Sequence, residues 1–255
     1  MVENMIDTIY TIWLGEMIKF WRSKSRIVGA IIGPLAFMIF LAPGFISGFK
    51  FQGGNDIDIG FFTPGLIAIS VSMISIFSSI SIISEREFGT IKSVLVAPIS
   101  RFSIVLGKAM SGVTTAIIQG TMIMIFSIFI GAQYVSFIGV FTGLVVVFIL
   151  SMGFIGLGIA IASKVGSIEG FQMLMSFIGM PFVILSGGFF PISDLPFWLK
   201  SLVYINPLTY GVEGLRWSLL GSSTIPISLS FAVMILFAII MIGIAEKMFG
   251  KMSIK

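Results

Sequence analysis

Three consecutive charges, Glu85, Arg86 and Glu87, interrupt a chain of 255 residues in which only 10% are charged and 57% are hydrophobic. They open the segment Ser84–Arg101, SEREFGTIKSVLVAPISR, which carries the densest polar chemistry in the sequence. A second charged pair, Glu213 and Arg216, stands three residues apart in an otherwise apolar stretch, a spacing that lets the two meet on one helix face. Ionic docking and ion pairing are the chemistry these groups can perform. Catalysis has little to draw on. Cysteine and histidine are absent, which removes thiolate nucleophiles, Cys/His metal sites and the commonest general base. Gly107-Lys108-Ala109 is the nearest approach to a phosphate-binding loop, but no glycine stands five residues earlier and no Ser or Thr follows. Acidic pairs do not recur at ligand spacing, so an intramembrane enzyme is disfavoured.

The elements that hold these residues are apolar helices. A soluble fold carries about 25% charged residues, so lipid must solvate much of this chain. A span needs about 20 apolar residues. Six segments qualify, approximately Ile27–Phe49, Phe61–Ser84, Ile104–Ile130, Val135–Ser163, Gly166–Phe190 and Ile225–Ala245. The fold class is all-α, a polytopic membrane protein with no soluble domain. Lysine and arginine fix its orientation. With both termini inside, 12 of 15 basic residues fall on the cytoplasmic side, and only Lys50, Lys200 and Arg216 fall outside. The acidic start, with Glu3 and Asp7, is not that of a signal peptide, so the N-terminus is expected to be retained.

Residues 5–22 place Ile6, Ile9, Tyr10, Trp13, Met17, Phe20 and Trp21 at steps of three or four, which predicts an amphipathic helix lying along the cytoplasmic interface. Residues 85–101 form a cytoplasmic loop. Phe88-Gly89-Thr90 reads as a turn, with Thr90 able to cap a short helix Ile91–Val96 that Ala97-Pro98 stops. Residues 191–221 lie outside and hold two short helices. The first, about Leu195–Tyr204, is capped by Ser193 or Asp194. The second, about Pro207–Leu220, follows an Asn206 cap. Glu213 and Arg216 are expected to pair and hold both helices in the outer leaflet. Gly29 and Gly33, Gly139 and Gly143, and Gly166 and Gly170 predict close helix packing. Lys108 and Glu169 are the only charges near a span interior; snorkelling accounts for Lys108, and Glu169 is expected to face the interface. A proton- or sodium-coupled carrier, which keeps ionisable groups at mid-membrane, is the less favoured alternative.

Taken together, these features resemble the membrane subunit of an ABC-2 type transporter, nearest to the daunorubicin-resistance and nodulation-factor export branch. The resemblance rests on Glu85-Arg86-Glu87-Phe88-Gly89-Thr90, on Ala97-Pro98-Ile99-Ser100-Arg101, on Ser186-Gly187-Gly188-Phe189-Phe190-Pro191 and on Asn206-Pro207-Leu208-Thr209-Tyr210. It implies one transmembrane domain over residues 1–255, and a multi-pass protein of the cell membrane that exports an amphipathic, lipid-like, drug or glycan substrate. Glu85, Arg86, Glu87, Gly89, Thr90 and Arg101 would meet an ATP-binding-cassette ATPase. Phe189, Phe190, Pro191, Asn206, Pro207, Tyr210, Glu213 and Arg216 would form an outer gate. ATP and Mg²⁺ would belong to the ATPase, leaving this chain without a cofactor. A second permease copy, identical or a paralogue, and membrane lipids would be its other partners, with no role for nucleic acid. The second and fifth spans would line the path, where Ser70, Ser72, Ser75, Ser78, Ser79 and Ser81 soften an apolar wall.

Overall fold

A computed structural model describes residues 2–41, 43, 44, 47, 59–90, 99–192 and 195–251. Among the described residues the regular structure is helical throughout. In chain order the helices are α1 (Val2–Arg22), α2 (Lys24–Ala36, running into a wider turn at Phe37–Leu41), α3 (Ile59–Ser78), α4 (Ile80–Glu87), α5 (Arg101–Phe129), α6 (Phe137–Ala162), α7 (Ile168–Ile184), α8 (Phe197–Ile205), α9 (Pro207–Leu220) and α10 (Ile227–Gly250).

Among the described residues, four helical stretches are long and apolar enough to cross a bilayer: Ile59–Glu87, Arg101–Phe129, Phe137–Ala162 and Ile227–Gly250. Of the six expected spans, these four account for the second, third, fourth and sixth. The first expected span begins as α2, which Pro34 and the wider turn distort, and residues 48–58 lie outside the described set. Met5–Arg22 and Ile27–Phe40 meet at 67°, so α1 turns away from the direction of α2. The fifth expected span is only the 17-residue α7, about 25 Å long at 1.5 Å per residue. It ends early because Leu185–Phe190 leaves the helix around Gly187, whose φ is +69°.

Helix starts follow the hydroxyl caps in the sequence. Ser100 accepts from the Ser103 amide, Ser136 from Gly139 and Ser167 from Gly170. Asn206 accepts from Leu208 with Pro207 in the first turn of α9, as expected. Pro196 precedes α8, while Ser193 and Asp194 lie outside the described residues.

The core forms where α6 meets α3, α5, α9 and α10. Val146, Val147, Phe154 and Ile159 of α6 are fully buried. Close approach depends on glycine. A Cβ at Gly139 would lie 2.1 Å from the Ser218 carbonyl oxygen, and one at Gly158 would lie 2.7 Å from that of Ile76. The Gly139/Gly143 pair therefore packs as expected, with Met124, Leu215 and Leu219 against Gly143. Gly29, Gly33 and Gly166 do not; a Cβ at any of them meets nothing within 4 Å.

The serine-rich α3 turns several hydroxyls into the bundle. Ser72, Ser75 and Ser79 are buried inside the bundle, and Ser75 and Ser78 donate to the carbonyls of Val71 and Ile74 on their own helix. Such back-bonding bends helices, and the span breaks at Ser79 between α3 and α4. Ser79 donates across the bundle to the Ile155 carbonyl of α6 at 3.5 Å.

Candidate functional site

Charge inside an apolar bundle needs a partner. Lys108, in the second turn of α5, is 6% exposed. Its Nζ lies 2.9 Å from Oε1 of Glu16 on α1 and 2.9 Å from Oε2 of Glu85 at the end of α4. Lys19 completes the ring, 2.7 Å from Glu85 and 3.2 Å from Glu16. Two cations and two carboxylates thus tie three elements at one end of the bundle. Snorkelling, expected for Lys108, is corrected: the ammonium turns inward because two carboxylates wait there. Burial alone would raise the Glu16 pKa, but the Lys108 charge and hydrogen bond, with Lys19 beside them, outweigh it and hold the carboxyl at about 2, against an ordinary 4.5.

The rest of α1 follows the same logic. Met17 and Phe20 are buried against the bundle, and Trp13 donates its indole N–H to Thr114 on α5 at 3.0 Å. Ile12 lies so near Gly107 that a Cβ there would stand 2.8 Å away. Ile6, Tyr10 and Trp21, expected on the same apolar face, point outward instead. The helix is apolar on two sides, one for the bundle and one for its surroundings.

Residues 85–90 divide their roles. Glu85 is turned to Lys108 and Lys19. Arg86 reaches the carbonyl end of α6, donating to Val165 at 3.0 Å, Ala162 at 2.9 Å and Ser163 at 3.2 Å. A guanidinium there suits the negative end of the helix dipole. Glu87 and Phe88 are exposed, and Phe88 is 80% so. Gly89 turns the chain with φ +74°, a left-handed conformation that favours glycine. Thr90 is exposed and donates to the Glu85 carbonyl at 3.3 Å. The expected helix Ile91–Val96 and the Ala97-Pro98 stop lie outside the described residues. Arg101 opens α5 half-buried, with Nη1 buried and unpartnered among the described residues. Glu169, in the first turn of α7, is exposed as expected.

The second cluster lies at the other end of α3. Glu213 is fully buried and Arg216 is 5% exposed, and the two form a direct ion pair. Arg216 also donates to the Gly187 carbonyl at 3.2 Å and stands 4.3 Å over the Phe61 ring. Glu213 accepts from the backbone amides of Thr224 and Ile225. The pair therefore joins α9 to the start of α3, the Gly187 turn and the lead into α10. The ion pair forms as expected. α8 and α9 are joined by Thr209, which donates to Val203 at 2.8 Å, and by Tyr210, which donates to Tyr204 at 2.7 Å. Asn206 ties the junction to α7 by donating to the Phe182 carbonyl at 2.8 Å. Phe189 packs on Phe37 with ring centroids 5.2 Å apart, and Phe190 and Pro191 are half-buried beside it in sequence.

Comparison with known proteins follows the same outline. The family model for ABC-2 type transporters matches residues 7–220. A putative transport permease, ycf38, of Cyanophora paradoxa is 27% identical over 214 residues, covering 83% of this chain and 74% of that protein. The inner membrane transport permease YadH of Escherichia coli K12 is 26% identical over 242 residues, covering 90% and 89%. The probable multidrug ABC transporter permease YbhR of the same organism is 33% identical over 159 residues, covering 59% of this chain and 41% of that protein.

Proposed function

This chain belongs to the ABC-2 type transporter family, a multi-pass membrane permease of an ABC transporter, and from that premise we propose that it is an exporter's membrane subunit driven by a separate ATP-binding-cassette ATPase. One observation carries the coupling reading. Glu85, at the root of the 85–101 loop, is locked to α1 and α5 through Lys19 and Lys108, while Glu87 and Phe88 two and three residues on face outward. A push on the exposed residues would thus move α4, α1 and α5 as one body.

In this reading α2 and α7 cross the membrane with the four long helices, giving six spans in the cell membrane. Both termini and the Lys108 cluster face the cytoplasm, and the Glu213–Arg216 cluster faces outward. The loop at 85–101 docks the ATPase, where ATP and Mg²⁺ are held. α1 lies at the interface with Tyr10 and Trp21 toward lipid headgroups. Two permeases, identical or paralogous, flank the path. Phe189, Pro191 and the α8–α9 pair form its outer gate, and the substrate is amphipathic, of the drug, lipid or glycan kind.

The test is reconstitution of the permease with an ATP-binding-cassette ATPase that co-purifies with it. Glu87→Ala removes an exposed carboxylate, and Gly89→Pro cannot adopt the positive φ of the turn. Both variants are expected to insert normally while ATP-dependent export falls at least about tenfold, which is about 1.4 kcal/mol of lost coupling. Wild-type export in both would refute docking at this loop.

A further inference from the structure

Glu16 bonds both lysines of its cluster through one oxygen. Lys108 and Lys19 reach Oε1 at 2.9 and 3.2 Å. Oε2 carries no hydrogen bond among the described residues, and it is not sealed off inside the bundle. It is open where Glu16 lines a cavity of about 250 Å³ between α1, the α3–α4 stretch and α5. The carboxyl stays ionised, held at about 2. Three hydroxyls share that wall, and each has spent its hydrogen on its own helix. Ser78 donates to the carbonyl of Ile74, Ser111 to that of Lys108 and Thr115 to that of Gly112, all at 2.8 Å. What they leave is lone pairs. Among the described residues no lysine or arginine lines the cavity. Lys108 has its own donors on Glu16, Glu85 and Ser81. The cavity thus presents a carboxylate oxygen and hydroxyl acceptors, with no side-chain donor opposite them.

An anion or a bare acceptor finds nothing to bond there. A primary ammonium, with three N–H groups and no acceptor, fits the wall. Its hydrogen bond to a carboxylate is of the strong, charge-assisted kind. Phe20 and Phe77 add aromatic surface, which also suits a cation. The apolar side of the cavity continues. Ile74 and Phe77 also line a groove of about 430 Å³ between α2 and the face of α3. Gly29 and Gly33 form its far wall, open because no side chain fills the space beside them. Along α3 the groove runs from Phe77 to Leu66, eleven residues and about 16 Å. Its lining is apolar except for Ser70 and Gln119, and Gln119 is turned to the Ala30 carbonyl at 2.6 Å. The acceptor-lined cavity and the apolar groove meet at Ile74 and Phe77, so one molecule can occupy both. A second groove, between α6 and α10, makes the contrast: it measures about 480 Å³ and has no polar side chain in its lining.

We propose that the two spaces form one site for an amphipathic amine, its primary ammonium on Glu16 Oε2 and its apolar tail in the α2–α3 groove. The site rests on the permease reading for its membrane setting but needs no ATPase, so its failure and that of the coupling loop are distinguishable. Three probes share one diazirine-bearing dodecyl tail and end in a primary amine, an alcohol or a carboxylate. The purified chain, in phosphatidylcholine nanodiscs without ATPase, is irradiated with each and the adducts are mapped. Labelling at Met152, in the α6–α10 groove, corrects for partition into the bilayer. So corrected, the amine is expected to label α3 between Leu66 and Phe77 about tenfold more than the alcohol or the carboxylate, the worth of one charge-assisted hydrogen bond. Glu16→Gln keeps an acceptor but removes the charge, and should bring the amine down to the level of the alcohol. Gly33→Leu, which leaves Glu16 in place and fills open space, should suppress groove labelling by all three probes, and it carries the test if Glu16→Gln does not fold. Phosphatidylethanolamine added to the nanodisc separates the sources: displacement of the amine marks a lipid headgroup and its persistence a single-chain amine, and either upholds the site. Equal corrected labelling by the three probes, an amine preference unchanged in Glu16→Gln, or groove labelling unchanged in Gly33→Leu overturns the proposal.

Discussion

Lys108 occupies a position where a lone ammonium would be costly, and its two carboxylates reverse that cost. Truncating one member of a buried ion pair leaves the others unpaired and costs about 3–5 kcal/mol, whereas replacing the whole set with apolar residues of similar volume is often neutral. Lys108→Ala should therefore destabilise the purified protein far more than Lys108→Met combined with Glu16→Gln and Glu85→Gln. Thermal unfolding in detergent measures both, and equal losses would mean the cluster contributes no pairing. The same residues set a pH dependence. The Glu16 carboxyl titrates at about 2 in the fold against an ordinary 4.5, so its folded pKa is depressed. Its contribution to stability is fully present above about pH 4.5 and is lost as pH falls toward 2. Melting temperatures compared at pH 7, 4.5 and 3 should fall over that acidic window, and Glu16→Gln should show a shallower fall. A parallel fall in the variant would remove Glu16 as the cause. None of this clustering was legible in sequence. Glu16 and Lys108 are 92 positions apart, and local spacing cannot report such a pair. The one available signal was a lysine deep in an apolar run, for which an inward partner and a snorkelling tail predict the same composition.

At the scale of elements, local signals served well where the causes are local. Asn206-Pro207 marked the start of α9 because a side-chain cap and a fixed φ act within one turn. The Glu213–Arg216 spacing marked a pair for the same reason. What the pair holds was not legible, since Gly187, Phe61 and Thr224 reach it through the tertiary fold. Pro34 in α2 leaves the Ala30 carbonyl to a hydrogen bond from Gln119 on another helix, a partner that local spacing does not reveal. Glu213–Arg216 is a clamp between elements, and this gives a prediction. Arg216→Ala leaves Glu213 buried without its cation, so it should lower stability by about 3–5 kcal/mol. Arg216→Met with Glu213→Gln, which keeps an acceptor for the Thr224 and Ile225 amides, should recover at least half. Thermal unfolding of the single and double variants measures the coupling. Additive losses would mean that the pair is incidental to the clamp.

At the scale of the whole molecule, an apolar bundle carries one charged cluster at each end of the α3–α4 stretch, and each cluster joins elements that the chain order keeps apart. Glu85 and Phe61 are 24 residues apart on the α3–α4 stretch, about 36 Å along a helix. That stretch, interrupted at Ser79, connects the two clusters. Composition made the membrane class legible, because no soluble core can absorb so much apolar surface. Span number was less legible, since α2 and α7 are distorted or short and only packing decides what such helices do. Docking of an ATPase on the loop at residues 85–101 can be tested cleanly because the chain has no cysteine. Glu87→Cys and Ser222→Cys, one at each end of the molecule and both exposed, would be treated separately with a short thiol-to-amine cross-linker in the assembled transporter. An adduct with the ATPase subunit is expected from position 87 and none from position 222. An ATPase adduct from position 222, or none from position 87 in a complex that still exports, would contradict docking at this loop.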